Sequence, residues 1–183
     1  MYSRKLSFLL IALFSVAIFT TVNAQDDKSK RKSPPAQATA EMGDLTITID
    51  YSSPAVKDRD IWGALVPYDK VWRTGANEAT TFEINKDVKV GGETLAAGKY
   101  ALFTIPGETE WTFIFNKNPD QWGAYSYNEG EDALRIQAKP GKTAAFAERM
   151  NFEIVTKGEQ SGWVTLNWEN LSVGFPIENT AAK

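Results

Sequence analysis

The chain has 183 residues, a formal net charge of −3, and neither histidine nor cysteine. Without these two residue types, disulfides, Ser-His-Asp and Cys-His catalysis, haem ligation and ordinary zinc sites are excluded. We also expect no nucleic-acid partner, because a net-acidic domain is a poor electrostatic partner for phosphates. The acidic residues Asp58 and Asp60 lack the spacing and the glycine of a calcium loop, so we expect no metal site and no cofactor.

The first 24 residues have the pattern of a cleaved secretory signal. Arg4 and Lys5 precede an apolar run over residues 6–19, and small residues surround the end of the segment at Ala24. The run is shorter than the ~20 residues needed to span a bilayer, so the pattern predicts cleavage between Ala24 and Gln25 rather than a retained anchor. We therefore expect a periplasmic or secreted protein, with no stable membrane insertion after cleavage.

The segment that follows the signal is polar. Residues 25–43 include four basic side chains and lack apolar periodicity, which is typical of chain that cannot drive its own burial. The sequence predicts a flexible tether there, one folded domain over residues 44–178, and a short tail over residues 179–183. A domain of that length buries roughly two-thirds of its unfolded surface, so it needs no metal or disulfide to fold.

Short strands account for most of the folded domain. Residues 45–51 alternate apolar and polar side chains, which predicts a half-buried strand. Gly91-Gly92 between two short runs indicates a tight hairpin. In the strand over residues 110–115, Trp111, Phe113 and Phe115 share one face and are expected in the core. Further strands are predicted over residues 99–105, 133–138, 150–156, 163–168 and 171–175, and residues 143–149 are expected to form one or two helical turns.

These roughly nine short strands, with at most one or two short helices, predict an all-β fold. An antiparallel β-sandwich is the expected architecture, and a jelly-roll topology is an open alternative within it.

The stretch VWRTGANEATTFE, residues 71–83, is the strongest candidate site. If its two ends are strands joined by a four-residue loop, Arg73 lies opposite Glu78. One interpretation is an ordinary turn with a cross-strand ion pair, worth under about 1 kcal/mol if exposed. The other is a ligand site, in which Trp72 offers a stacking surface and Arg73 and Asn77 offer hydrogen bonds.

A second polar loop, residues 116–125, carries Trp122 and Tyr125. The sequence does not establish whether this loop meets the first one. Since most aromatic residues of a sandwich lie in its core, loop aromatics are the better candidates for contact with a ligand. The predicted ligand-binding residues are Trp72, Arg73, Asn77, Glu78, Trp122 and Tyr125.

Three functions fit these features, and the sequence favours one without enzymatic activity. The leading hypothesis is a module of the cell envelope that binds a small polar ligand or a glycan. An alternative is a carboxylate-dependent glycan hydrolase, because paired carboxylates can act as acid and base, with Glu78 as the catalytic candidate. The third is a structural or protein-interaction module whose partner is an envelope protein.

Four segments of the chain also match a known pattern: VPYDKVWRTGANEATTFE, GGETLAAGKYALFTIPGETEWTFIFNK, QWGAYSYNEGEDALR and LNWENLSVGFPI. With them the chain resembles the bacterial exported domain-of-unknown-function family 2911 over nearly all of residues 44–177. The resemblance implies an exported, β-rich single domain. It assigns no activity, ligand or catalytic residue to any position of this sequence.

Overall fold

Ten strands in two antiparallel sheets build the described part of the chain. The computed structural model describes residues 27–180. The predicted signal peptide over residues 1–24 and residues 181–183 of the predicted tail lie outside the described residues. The strands are β1 (Pro35–Met42), β2 (Leu45–Ser52), β3 (Thr80–Ile84), β4 (Val88–Val90), β5 (Glu93–Leu95), β6 (Gly98–Ile105), β7 (Trp111–Asn116), β8 (Asp132–Ala138), β9 (Gly141–Lys157) and β10 (Ser161–Asn179), with 3-10 helices at Lys28–Lys30 and Glu129–Glu131.

The strand order explains how the chain connects the two sheets. The six-stranded sheet has the order β1, β2, β3, β6, β7, β8, and the four-stranded sheet has the order β5, β4, β10, β9. The chain leaves the first sheet after β3, forms the β4 to β5 hairpin in the second, and returns at β6. The predicted all-β antiparallel sandwich is confirmed.

Alternating side chains fill the space between the sheets. In β2 the residues alternate between buried and partly buried up to Asp50, as the sequence pattern predicts. The predicted core face of β7 is confirmed, because Trp111, Phe113 and Phe115 are 0% exposed. Phe175 of β10 packs edge to face on Phe113 and Phe115, with ring centroids 5.0 and 5.6 Å apart. Each fully buried Phe contributes about 1.5–3 kcal/mol, so this contact helps to hold the sheets together.

The hairpin between β4 and β5 also forms as predicted. Gly91 and Gly92 connect the two strands with φ values of 61° and 90°. Positive φ at both central residues belongs to the primed turns that match strand twist, and glycine adopts it without steric penalty.

The flexible tether predicted over residues 25–43 is wrong for residues 35–42. These residues form β1, which pairs along its whole length with β2, from Pro35 opposite Ser52 to Met42 opposite Leu45. Its alternate positions are small alanines whose side chains are only partly buried. Such a strand has a weak hydrophobic signal, and its pairing depends on backbone hydrogen bonds that the residue pattern does not display.

The helical turns predicted over residues 143–149 are also wrong. The segment belongs to β9, which pairs with β10. The register shifts twice there, because residues 142–151 of β9 lie opposite only residues 167–171 of β10. The additional residues form bulges, so pairing with β10 overrides the weak local preference for a helix.

Candidate functional site

The stretch over residues 71–83 does not form the expected hairpin with Arg73 opposite Glu78. Trp72 instead pairs with β6, where its N–H donates to the carbonyl of Thr104 at 2.7 Å and its carbonyl accepts from the N–H of Thr104 at 2.9 Å. The chain then turns at Thr74, which has a positive φ. After this turn the N–H of Thr80 donates a hydrogen bond to the carbonyl of Arg73 at 3.2 Å. The predicted ion pair between Arg73 and Glu78 is therefore wrong.

The two candidate loops do meet. Glu78 forms an isolated antiparallel bridge with Trp122. On either side of this bridge the N–H of Gly123 donates to the carbonyl of Asn77 at 3.1 Å, and the N–H of Ala79 donates to the carbonyl of Gln121 at 3.0 Å. The loop over residues 116–125 is thus attached to the first loop through the backbone.

A cluster of four tryptophans underlies this end of the sandwich. Trp72 stacks on Trp168 with centroids 5.9 Å apart and ring planes 18° apart. Trp62 packs edge to face on Trp72, Trp111 and Trp168 at 5.0 to 6.0 Å. The indole N–H of Trp72 donates to the carbonyl of Gly75 at 3.1 Å, which holds the ring in place. Trp72 is consequently a rigid, half-buried surface.

A cavity of about 490 Å³ lies beside Trp72, and we call it the Trp72 cavity. Its size falls within the range typical of small-molecule sites. Among the described residues, those that line it include no carboxylate. They are the apolar or small residues Pro54, Ala55, Leu65, Val66, Trp72, Gly75, Ala76 and Trp168, with Ser33, and the cations Lys32, Lys57, Arg59 and Arg73.

Arg73 contributes to the Trp72 cavity without a carboxylate partner. Its Nε atom is buried and has no hydrogen-bond partner in the described residues. None of the ion pairs within residues 27–180 involves Arg73. A Cβ atom added to Gly123 would lie 3.4 Å from Nη1 of Arg73, so the second loop packs against the guanidinium. Packing holds this cation, and no described acid neutralises it.

Arg59 is fixed in a different way. Its Nε donates to the carbonyl of Val56 at 3.0 Å, and its Nη2 donates to the carbonyl of Ala55 at 2.6 Å. Carbonyl oxygens orient the guanidinium but leave its positive charge uncancelled. Arg59 therefore adds a second oriented cation to the wall of the Trp72 cavity.

Residues 28–34 form a strap that crosses this end of the domain. Nη1 of Arg31 donates to both carboxylate oxygens of Glu78, at 2.9 and 3.0 Å, and Nζ of Lys28 lies 3.0 Å from the same group. The side-chain amide of Asn77 donates to the carbonyl of Ser33 at 3.0 Å. Asn77 and Glu78 thus hold the strap and do not line the Trp72 cavity, whereas Lys32 and Ser33 of the strap do line it.

The strap changes the acidity of Glu78. Partial burial raises the pKa of this carboxyl, but hydrogen bonds from its own backbone N–H, from Arg31 and from Lys28 outweigh burial and lower the pKa from 4.5 to about 2. Positive partners favour the charged form of an acid. Glu78 is therefore ionised at neutral pH and is a poor proton donor.

The two loop aromatics lie outside the Trp72 cavity. Trp122 is 58% exposed and Tyr125 is 86% exposed. Trp122 borders a separate depression of about 330 Å³ together with Glu78 and Asp120. Tyr125 packs beside Gly123, where an added Cβ atom would lie 3.1 Å from its ring. The predicted site residues are thus divided among three places, and only Trp72 and Arg73 share the cavity.

Of the residues that line the Trp72 cavity, sequence reasoning identified Trp72 and Arg73 and missed the other cations and Trp168. Lys32 was placed in the predicted tether, and Trp168 was assigned to the core, where it is indeed only 1% exposed. Lys57 and Arg59 lie in an irregular segment where neighbouring aspartates suggest local neutralisation of charge. The run of basic residues before β1 was the available signal for Lys32, but no local pattern indicated that these cations converge.

Two kinds of structural feature are absent from residues 27–180. No group of three or more acidic residues is placed to hold a metal ion. No helix in this part of the chain has the length and apolar character needed to cross a membrane.

Comparison with known proteins identifies the family. No significant match was found among curated proteins or among solved structures. A family model described as "Protein of unknown function (DUF2911)" matches residues 33–177. The matched region begins in the strap and ends in β10, so it contains the Trp72 cavity with the exception of Lys32. Since the match covers most of the chain, the protein belongs to the DUF2911 family.

Proposed function

We propose that this protein is an exported, non-catalytic module of the cell envelope that binds a small polar ligand, or the end of a glycan, in the Trp72 cavity. The signal peptide predicted over residues 1–24 supports export to the periplasm or beyond. The proposal depends above all on Arg73, a half-buried cation with a buried Nε atom and no partner for it among the described residues.

The energetics of Arg73 support a ligand. Removing a charged group from water is unfavourable unless a partner compensates for the loss of hydration. No described carboxylate does so for Arg73, yet the side chain packs against the second loop and lines the same cavity as the Trp72 indole. A preorganised donor next to an aromatic surface is the arrangement that orients a polar ligand.

The hydrolase alternative has less support. A carboxylic acid that protonates a leaving group needs a raised pKa, whereas Arg31 and Lys28 help to lower the pKa of Glu78 to about 2. Asp120 borders the same depression as Glu78. Because Glu78 is ionised, a carboxylate mechanism at this depression needs another acid as its proton donor.

One observation favours the protein-interaction alternative. Trp163 of β10 and Val155 of β9 lie directly opposite each other, and they are 46% and 47% exposed. Such an exposed apolar pair is a feature of contact surfaces. If this pair forms an interface between copies, light scattering will show an oligomer that the substitution Trp163→Ser converts to monomer.

Thermal shift with a ligand panel tests the proposed function. The panel contains envelope glycans, peptidoglycan fragments, amino acids and organic acids, added to the chain without its predicted signal. A ligand at 100 times its dissociation constant adds about 2.7 kcal/mol to the free energy of unfolding. We expect a shift that is lost in Ala76→Trp, which fills the Trp72 cavity, and is retained in Trp122→Ala, which lies outside it.

Two results would count against the proposal. A shift that persists in Ala76→Trp would place the ligand elsewhere on the domain. The absence of a shift across the whole panel, with correctly folded protein, would direct the search to protein partners.

A further inference from the structure

We infer that the ligand of the Trp72 cavity carries an oxyanion, a carboxylate or a phosphate group, attached to a ring-shaped body. This inference depends on the proposed function and adds the chemical class of the ligand. It follows from the charges around the cavity, the orientation of its donors and the composition of its floor.

The cavity wall carries only positive charge. Lys32, Lys57, Arg59 and Arg73 line it, and within residues 27–180 no acidic side chain does. Glu148 accepts a hydrogen bond from the backbone N–H of Lys57 at 3.1 Å, but it does not line the cavity. Charges of one sign on low-dielectric walls focus the field and concentrate a counter-ion. The cavity therefore favours an anion and disfavours a cation, even though indole rings attract cations elsewhere.

The two arginines supply oriented donors for an oxyanion. Arg59 uses Nε and Nη2 to bind backbone carbonyls, which leaves its Nη1 without an acceptor among the described residues. Arg73 also has no described acceptor for its guanidinium. Guanidinium groups match carboxylate and phosphate oxygens with paired hydrogen bonds. Because backbone carbonyls already hold Arg59, little side-chain entropy is lost when it binds.

The apolar floor of the cavity indicates a ligand larger than a bare ion. Trp72 is stacked on Trp168, and Leu65 and Val66 extend the apolar lining. A volume of about 490 Å³ is much larger than one small anion requires. A half-buried indole offers a flat surface for a sugar ring or another planar group. A ligand that fits both the cationic wall and the apolar floor is an acidic sugar, a sugar phosphate or an aromatic acid.

Matched pairs of ligands test this inference. The probes are galacturonate against galactose, glucose 6-phosphate against glucose, phenylacetate against phenylethanol, and inorganic phosphate alone, each measured by calorimetry. We expect the charged member of at least one pair to bind about tenfold or more tightly than its neutral partner, since hydrogen bonds to charged groups are the stronger kind. The carboxylate and phosphate pairs distinguish the two sources of the oxyanion.

Charge variants assign the effect to the cavity. Arg73→Met and Lys57→Met are expected to weaken the charged member more than its neutral partner, so that the affinity ratio within the pair falls toward one. Lys57 is exposed, so its variant remains informative even if Arg73→Met fails to fold. Lys139→Met is the matched control, because Lys139 is exposed and lies outside the cavity lining. The affinity of the charged member is also expected to fall as salt is raised.

The outcomes separate this inference from the proposed function. Equal binding of charged and neutral members, lost in Ala76→Trp, would overturn the inference and leave the proposed function standing. Charge-dependent binding that Arg73→Met and Lys57→Met do not alter would overturn the inference by placing the anion elsewhere. Failure of every probe to bind would reject the inference and would also count against the proposed function.

Discussion

Arg31 and Arg73 lie at the same end of the sandwich and have opposite environments. Arg31 donates to both carboxylate oxygens of Glu78, although 47 residues separate the two in the chain. Arg73 is only five positions from Glu78 but has no acidic partner among the described residues. Arg31 therefore holds the strap in place, whereas the proposed function assigns Arg73 to the ligand. Proximity in sequence therefore indicated the wrong arginine as the partner of Glu78.

The largest expected difference between the two arginines concerns ligand binding. Arg73→Met removes an oriented donor and should reduce the affinity for an oxyanion ligand by about tenfold or more, while the free energy of unfolding stays the same or rises slightly. Calorimetric titration and urea unfolding of the same variant measure both quantities. A marked loss of stability with unchanged affinity would make Arg73 a structural residue.

Arg31→Met should have the reverse pattern. It removes the hydrogen bonds from Nη1 to both oxygens of Glu78, whose side chain is 37% exposed, so we expect a loss of about 1 kcal/mol in the free energy of unfolding. Ligand affinity should fall only a few-fold, because Lys32 and Ser33 of the loosened strap line the Trp72 cavity. Urea unfolding checks the first effect and calorimetry the second. A larger effect on affinity than that of Arg73→Met would reverse the roles assigned to the two arginines.

The contact between Arg31 and Glu78 also predicts that the stability of the protein depends on pH. The pKa of Glu78 is lowered from 4.5 to about 2 in the folded protein. A depressed folded-state pKa contributes stability that is present above the unfolded pKa and is lost as the pH falls through the folded pKa. We therefore expect stability to decline between about pH 5 and pH 2. Thermal unfolding across this range should show a shallower decline in Glu78→Gln, and identical slopes would contradict the assignment.

The smallest expected effect belongs to Lys28. Its ammonium lies 3.0 Å from Glu78, but its side chain is 57% exposed. Exposed ion pairs contribute little, so Lys28→Met should change the free energy of unfolding by less than about 0.5 kcal/mol. A loss as large as that of Arg31→Met would show that the strap depends on net charge near Glu78 instead of on the hydrogen bonds from Arg31.

Some features of this protein follow from the sequence alone because they depend on neighbouring residues. Strict alternation predicts β2, since successive side chains of a strand point to opposite faces. Gly91 and Gly92 predict their hairpin because few other residues adopt positive φ in pairs. Trp72 and Arg73 could also be identified as candidates, because an indole beside a guanidinium is chemically distinctive wherever the fold places it.

Other features depend on contacts between distant parts of the chain. The Trp72 cavity combines Lys32, Arg59, Arg73 and Trp168, which come from four separate segments. Strand β1 exists because β2 provides its hydrogen-bonding partner. Both result from how the two sheets are ordered and paired, and residue patterns over a few positions do not encode that order.

The sequence by itself therefore determined the all-β class, most strands, the hairpin at Gly91-Gly92 and the family resemblance. Only the tertiary structure decided that Arg31, and not Arg73, binds Glu78, and that four cations meet beside Trp72. The physical reason is the separation along the chain over which each interaction acts. Backbone alternation and turn geometry are local properties of the chain, whereas the choice of which charges are neutralised is made when the sheets bring distant segments together.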